Sequence, residues 1–275
     1  MLNYIKGELY KVSKRSYTRK LFVYCALISL LFNLLFFILG KISEDALHSG
    51  EVYANYSEFV LFSFFLTLFI VHSIFSKDYF NGSLKNPLAF GISRSKIYFG
   101  KWLAAIIVSI ILMVFLLTLS LLCTSIFFGV DKVLFSKQLK VIFIGLLKLF
   151  PLYIGALTVC HCLFFTFKYD VVIFILFIYG MIGPVSLIGD GSSDYAKSSI
   201  LEFLSKHQQW FPFVNFSKII SAAKLEHLSL ISINSYIIDE GTSVVTTGTC
   251  YMVGIIYSLI FLLLGWLFFR KREIK

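Results

Sequence analysis

The sequence predicts an all-α integral membrane protein with six transmembrane helices. Composition, the continuity of its apolar runs and the sidedness of its charge carry that expectation. Of 275 residues, 58% are hydrophobic and 18% aromatic, and only 15% are charged. A water-soluble domain carries about a quarter charged residues. Mean hydropathy is +0.85. At this length a single water-facing core has no room for so many Phe, Leu and Ile side chains.

The spans follow from run length, since about 20 apolar residues cover a hydrocarbon core of about 30 Å. Six runs qualify, at about 21–40, 59–75, 102–128, 141–167, 171–188 and 250–269. They are continuously apolar, whereas barrel strands alternate. Backbone groups in lipid must pair within their own segment, so the runs are helices. Nothing divides the chain, and 1–275 reads as one transmembrane domain.

Charge orients it. With the N-terminus inside, the inner segments hold 16 Lys and Arg and the outer segments 8, while acidic residues distribute 4 inside and 11 outside. Both termini are therefore expected in the cytoplasm of a multi-pass plasma-membrane protein. The net charge of +10 is spread beside spans facing membrane lipid, so it gives no reason to invoke nucleic acid. Residues 1–20 precede the first span without a signal-peptide cleavage pattern. Leu2, Ile5, Leu9 and Val12 recur at spacings of 3, 4 and 3. That stripe predicts an amphipathic helix in the inner headgroup layer.

Several chemistries find no support. Cys25, Cys123, Cys160, Cys162 and Cys250 all fall in or beside spans, so no outer disulfide framework is indicated. Cys160-His161-Cys162 does not read as a metal site, because residues i and i+2 of a helix diverge. No Asp or Glu lies well inside a span to couple an ion gradient. Lys148 is the one charge placed well inside a run; it either snorkels outward or faces a substrate. No G-x-x-x-x-G-K-[ST] motif occurs, so no nucleotide site, catalytic residue or cofactor is expected in this chain. Uphill transport would then depend on a partner.

The segment between the second and third spans suggests how that partner is held. "KDYFNGSLKNPLAFGISRSKIYFGKW", Lys77 to Trp102, reads as a short helix, a break and a re-entry. Pro87 is expected to end the first turn near Asn86. The order Asp78, Gly82, Ser83, Lys85, then Ser93, Arg94 and Lys96 resembles the loop between spans two and three of type-2 ABC transporter permeases. The six spans, inner termini and amphipathic N-terminal helix are similar as well. The resemblance implies that this loop is a coupling helix docking on an ATP-binding cassette subunit, with Asp78, Gly82, Ser83, Leu84, Lys85, Asn86, Arg94 and Lys96 as coupling residues. It implies that ATP and Mg²⁺ sit on that separate subunit, and that the chain pairs with a second permease, identical or sister. Rivals from other classes are an ATP-independent channel or carrier and a membrane scaffold or sensor.

Residues 189–248 are expected as a long extracellular loop. Gly180, Gly183 and Pro184 should break the fifth span, and in the family this region dips back into the membrane. Ser199 and Glu202 have capping-box spacing. Trp210, Phe211 and Phe213 are either a lid on the span ends or a surface meeting an amphipathic substrate or a sister subunit. The turn Trp210-Phe211-Pro212-Phe213 is similar to that of permeases giving immunity to lantibiotics and other antimicrobial peptides. That implies export of an amphipathic peptide; other hydrophobic substrates (lipid, drug, polysaccharide precursor) stay open.

Overall fold

The computed structural model describes residues 1–42, 63–75, 85–128, 132–167, 169–188, 207, 210–229 and 247–271. Among them no strand occurs. The helices are α1 (Leu2–Lys14), α2 (Ser16–Ile42), α3 (Ser63–Phe75), α4 (Lys85–Ala89), α5 (Arg94–Phe128), α6 (Lys132–Thr166), α7 (Asp170–Ile188), α8 (Pro212–Ser229) and α9 (Thr247–Lys271). Four are long and apolar enough to cross a membrane: Ser16–Leu39, Arg94–Phe128, Phe135–Thr166 and Gly248–Lys271. Ser63–Phe75 and Asp170–Met181 are shorter apolar helices. They correspond to the predicted second and fifth spans.

Four elements differ from expectation. α5 and α6 begin at Arg94 and Lys132, well before the apolar runs, because helical backbone continues wherever a cap and neighbours support it. Ser93 caps α5, its hydroxyl accepting from the Lys96 N–H at 3.4 Å. α7 runs through Gly180, Gly183 and Pro184 to Ile188 without a break. In an apolar environment an interrupted ladder leaves backbone groups unpaired, which favours continuity over local propensity. Within the predicted outer loop, Pro212–Ser229 is helical. Pro212 opens α8, a position where its missing N–H would have had no intrahelical partner. The capping-box pair Ser199 and Glu202 lies outside the described residues.

α6 packs against α9 and α8. The α6–α9 crossing is built on a proline and two glycines. Pro151 leaves the carbonyl of Leu147, one turn earlier, without its helical donor. The Tyr251 hydroxyl of α9 donates to that carbonyl at 3.1 Å. Close approach follows: a Cβ on Gly254 would stand 2.3 Å from the Pro151 carbonyl carbon and 2.7 Å from the Leu152 nitrogen. A Cβ on Gly155 would stand 3.2 Å from the Gly254 carbonyl oxygen. Small residues allow such contact between membrane helices, where association depends on packing and hydrogen bonds.

A polar seam joins α2 to α5. The Ser29 and Ser120 hydroxyls lie 3.2 Å apart. The Thr124 hydroxyl donates to the Asn33 amide oxygen at 3.3 Å, and the Asn33 amide donates to the Ser29 carbonyl at 2.8 Å. All four side chains are buried. Trp102 donates its indole N–H to the Thr158 hydroxyl at 2.9 Å, tying α5 to α6. Outward faces of α2 and α9 expose Leu27, Ile28, Leu31, Leu259, Leu263 and Leu267, which suits contact with lipid.

Substitutions at the crossing should separate its two components. Tyr251→Phe removes one hydrogen bond and should lower stability by about 1 kcal/mol. Gly254→Val drives side-chain atoms into the Pro151 backbone and should prevent a folded protein from being recovered. Thermal unfolding of purified protein in detergent checks both; equal, small effects would show that the helices do not touch there.

Candidate functional site: the coupling end

The C-terminal ends of α3, α6 and α9 meet the N-terminal ends of α5 and α7 at one end of the bundle, where α1 and α4 also lie. Interactions converge here from residues distant in sequence.

α1 carries the predicted stripe, but the stripe turns inward. Ile5 and Val12 are buried, Leu9 packs on the core, and Glu8 is buried among them. Leu2, at the end of the stripe, is exposed. Glu8 meets Lys101 of α5, Nζ to Oε2 at 2.9 Å, with both side chains 1% exposed. Its other oxygen accepts from Lys11 at 2.9 Å. The Lys101 ammonium also lies 5.3 Å from the centre of the Phe75 ring. Burial alone would raise the Glu8 pKa; the two lysines outweigh it and hold the carboxyl below the usual carboxylate range. Gly100 makes room for this docking, since a Cβ there would meet the Tyr4 ring at 2.5 Å.

Two arginines close helix ends. Arg15 sits in extended backbone between α1 and α2. Its guanidinium donates to the carbonyls of Ser73 at 2.6 Å and Ile74 at 2.8 Å, near the C-terminus of α3. Arg94, first residue of α5, donates to the carbonyls of Phe269 at 3.2 Å and Arg270 at 2.8 Å, at the C-terminus of α9. Those carbonyls lie in the last described turns of α3 and α9, where a cation suits the negative end of the helix dipole. The Trp266 indole donates to the Ser95 hydroxyl at 3.1 Å, and Arg270 lies over the Trp266 ring. His72 of α3 meets Asp170 at the start of α7 at 3.1 Å. Phe75, Tyr98, His161, Phe165 and Phe269 form an aromatic cluster, mostly edge-to-face, behind these contacts.

α4 projects from this platform. Pro87 does not end it: Phe90 N–H donates to Asn86 at 3.1 Å, and the helix runs on to Ala89. Within the first turn from Lys85 a proline costs little, because no donor is missed there. The end is set by Gly91, whose φ is +75°. Gly91 N–H donates to Leu88 at 3.0 Å and Ile92 N–H to Pro87 at 3.0 Å, a Schellman closure. Leu88 and Ile92 pack on the core. Lys85 and Asn86 are exposed, and Phe90 is 85% exposed.

The predicted residues are distributed unevenly over this geometry. Lys85 and Asn86 lie on the exposed helix, Lys96 is exposed on the first turn of α5, and Arg94 faces α9 instead of the open surface. Asp78, Gly82, Ser83 and Leu84 lie outside the described residues. The outer candidates do not form one surface. Phe213 packs on Phe64 and Phe65, with ring centres 5.5 and 5.8 Å apart, as a lid residue would. Phe211 is half-buried, and Trp210 is exposed. Lys148 is half-buried on α6, next to the Leu147 carbonyl that Tyr251 fills. Sequence reasoning missed Glu8. Its signal was available: a lone acid three residues after Ile5 and four before Val12, inside an apolar stripe. Cys160, His161 and Cys162 are buried, and no metal-holding cluster occurs among the described residues.

Residues 4–183, about two-thirds of the chain, match the ABC-2 family transporter protein. The chain belongs to this family. It is therefore a multi-pass membrane protein and a membrane component of an ABC transporter. The matched region holds most of α1, all of α4, the Glu8–Lys101 pair and both capping arginines; α8 and α9 lie beyond it. No curated protein and no solved structure matches the chain.

Because the Glu8 pKa is lower in the folded protein than in the unfolded chain, the pair contributes fully above the ordinary carboxylate range. The contribution is lost as pH falls through the lowered value. A spin label at exposed position 6 should therefore stay immobilised from neutral pH down to about 4, the unperturbed carboxylate value, and loosen only below it. Loosening between pH 7 and 5 would contradict the pairing. Glu8→Ala should cost about 3–5 kcal/mol by stranding Lys101, and adding Lys101→Met should recover most of that loss.

Proposed function

We propose that this chain is the permease subunit of an ATP-driven exporter and that α4 is the element an ATP-binding subunit grips. The carrying observation is Phe90: a large apolar side chain, 85% exposed, on a short helix closed by Gly91 and anchored through Leu88 and Ile92. An exposed aromatic beside Lys85 and Asn86 offers an apolar knob with a polar rim, the composition of an interface hot spot. Its anchorage suits transmission of force. α5 leaves the knob directly, and Arg94, Ser95, Gly100 and Lys101 fasten the beginning of α5 to α9 and α1. ATP and Mg²⁺ would reside on the partner, and the hydrolytic chemistry with them.

In this reading the chain has six spans, with α3 and α7 as the second and fifth, and both termini in the cytoplasm. It works as a dimer with itself or a sister permease. The substrate class we favour is an amphipathic antimicrobial peptide drawn from the outer leaflet. Trp210, exposed just before α8, is the aromatic residue best suited to meet it, while Phe213 acts as a lid.

Phe90→Asp should leave the permease folded, because the side chain packs on little, and should reduce co-purification of the ATP-binding subunit at least tenfold. Full recruitment with unchanged transport-coupled ATP hydrolysis would sink the assignment of α4.

A further inference from the structure

The first turns of α2 carry a shallow, open surface groove lined by Ser16, Arg19, Lys20, Val23 and Tyr24. The neighbouring cations are engaged elsewhere: Lys11 on Glu8, Lys14 over the Tyr10 ring and Arg15 on the α3 carbonyls. Arg19 and Lys20 are exposed, and among the described residues neither has an acidic partner. Two exposed cations and a hydroxyl thus line one face of the helix.

Further along α2 the character changes. Val23, Tyr24, Leu27, Ile28 and Leu31 are all exposed. From Arg19 to Leu31 the helix rises about 18 Å, at 1.5 Å per residue. One leaflet's share of the hydrocarbon core is about 15 Å. The surface is cationic at one end, aromatic at the boundary and aliphatic for the depth of one leaflet. A soluble anion would use only the first part. A molecule with a phosphate head and an acyl tail would use all of it.

We propose that this face binds an anionic phospholipid, its phosphodiester held by Arg19, Lys20 and the Ser16 hydroxyl, its glycerol beside Tyr24 and one acyl chain along Leu27 and Leu31. Arginine presents a fork matched to phosphate oxygens, and lysine adds a point charge. Tyr24 is an amphipathic ring suited to the interface. The bound lipid would brace the α1–α2 corner next to Arg15, whose guanidinium caps α3.

Native mass spectrometry of the purified full chain, titrated with phosphatidylglycerol or phosphatidylcholine, tests this. Phosphatidylglycerol should be retained preferentially. Arg19→Gln with Lys20→Gln should weaken its retention roughly thirty-fold, as expected from two cations at an anionic surface. Arg19→Lys with Lys20→Arg should restore most of it, which also guards against a folding defect in the first variant. Lys6→Gln with Lys14→Gln, removing exposed α1 cations outside the groove, should change it less than threefold. Equal loss in this control would overturn the site in favour of diffuse charge, and equal retention of the two lipids would overturn it outright. Displacement of the lipid by millimolar inorganic phosphate would assign the groove to a free anion instead. A changed monomer–dimer balance in Arg19→Gln with Lys20→Gln at unchanged lipid retention would make the face a subunit seam.

Discussion

The ion pair between Glu8 and Lys101 is the contact on which this end of the bundle depends. Both charges are withdrawn from solvent, 2.9 Å apart. A buried ion pair earns little net stability over an apolar pair of the same shape, yet removal of either member alone is costly. It therefore acts less as glue than as a constraint on register. α1 finds its full set of partners in one position, with Tyr4 against Gly100, Glu8 against Lys101, and Ile5 and Val12 in the apolar seam. Lys101 in turn extends this order to α3 through the Phe75 ring.

The same economy governs the backbone. Where helix ends or a proline leave carbonyls without donors, a side chain from another helix supplies one. Arg15 does this for α3, Arg94 for α9 and Tyr251 for the Leu147 carbonyl beside Pro151. Each satisfies a carbonyl with a donor from another helix, and each thereby fixes one helix relative to another. The two arginines tie the α1–α2 corner to α3 and the start of α5 to α9, so helix ends distant in sequence are cross-linked near the exposed Phe90. A membrane component that passes motion between a partner and its own spans gains from such a platform, since slack at the input would dissipate the displacement.

Much of this architecture was legible from composition and run length, because apolar runs in lipid have few alternatives to helices. The long helices lie where the runs are, and the motif-bearing segment does form a short projecting helix. Tertiary partners were not legible. The stripe Leu2, Ile5, Leu9, Val12 has the same spacing whether a helix lies along headgroups or docks on a bundle; Glu8 within it was the discriminating residue. Arg94 reads as a surface cation until the C-terminus of α9, 175 residues away, is placed against it. Pro87 and Pro184 reads as breakers failed for two reasons. One sits in a first turn, where its missing donor costs little, and the other in a segment where an interrupted ladder costs more than a strained one. The aromatic residues around Trp210 could not be divided by sequence, since a lid and a contact surface need the same side chains. Phe213 is packed and Trp210 is not.

The central claim is that α1, α4 and the beginning of α5 move as one body because Glu8 and Lys101 hold them. Paired spin labels at positions 6 and 90 measure this directly by electron–electron dipolar distances. In the assembled transporter, the separation should keep the same narrow distribution with and without ATP bound to the partner. Replacing Glu8 by alanine should broaden it. A distribution that shifts by several ångströms on ATP binding, or one indifferent to the loss of Glu8, would contradict the account.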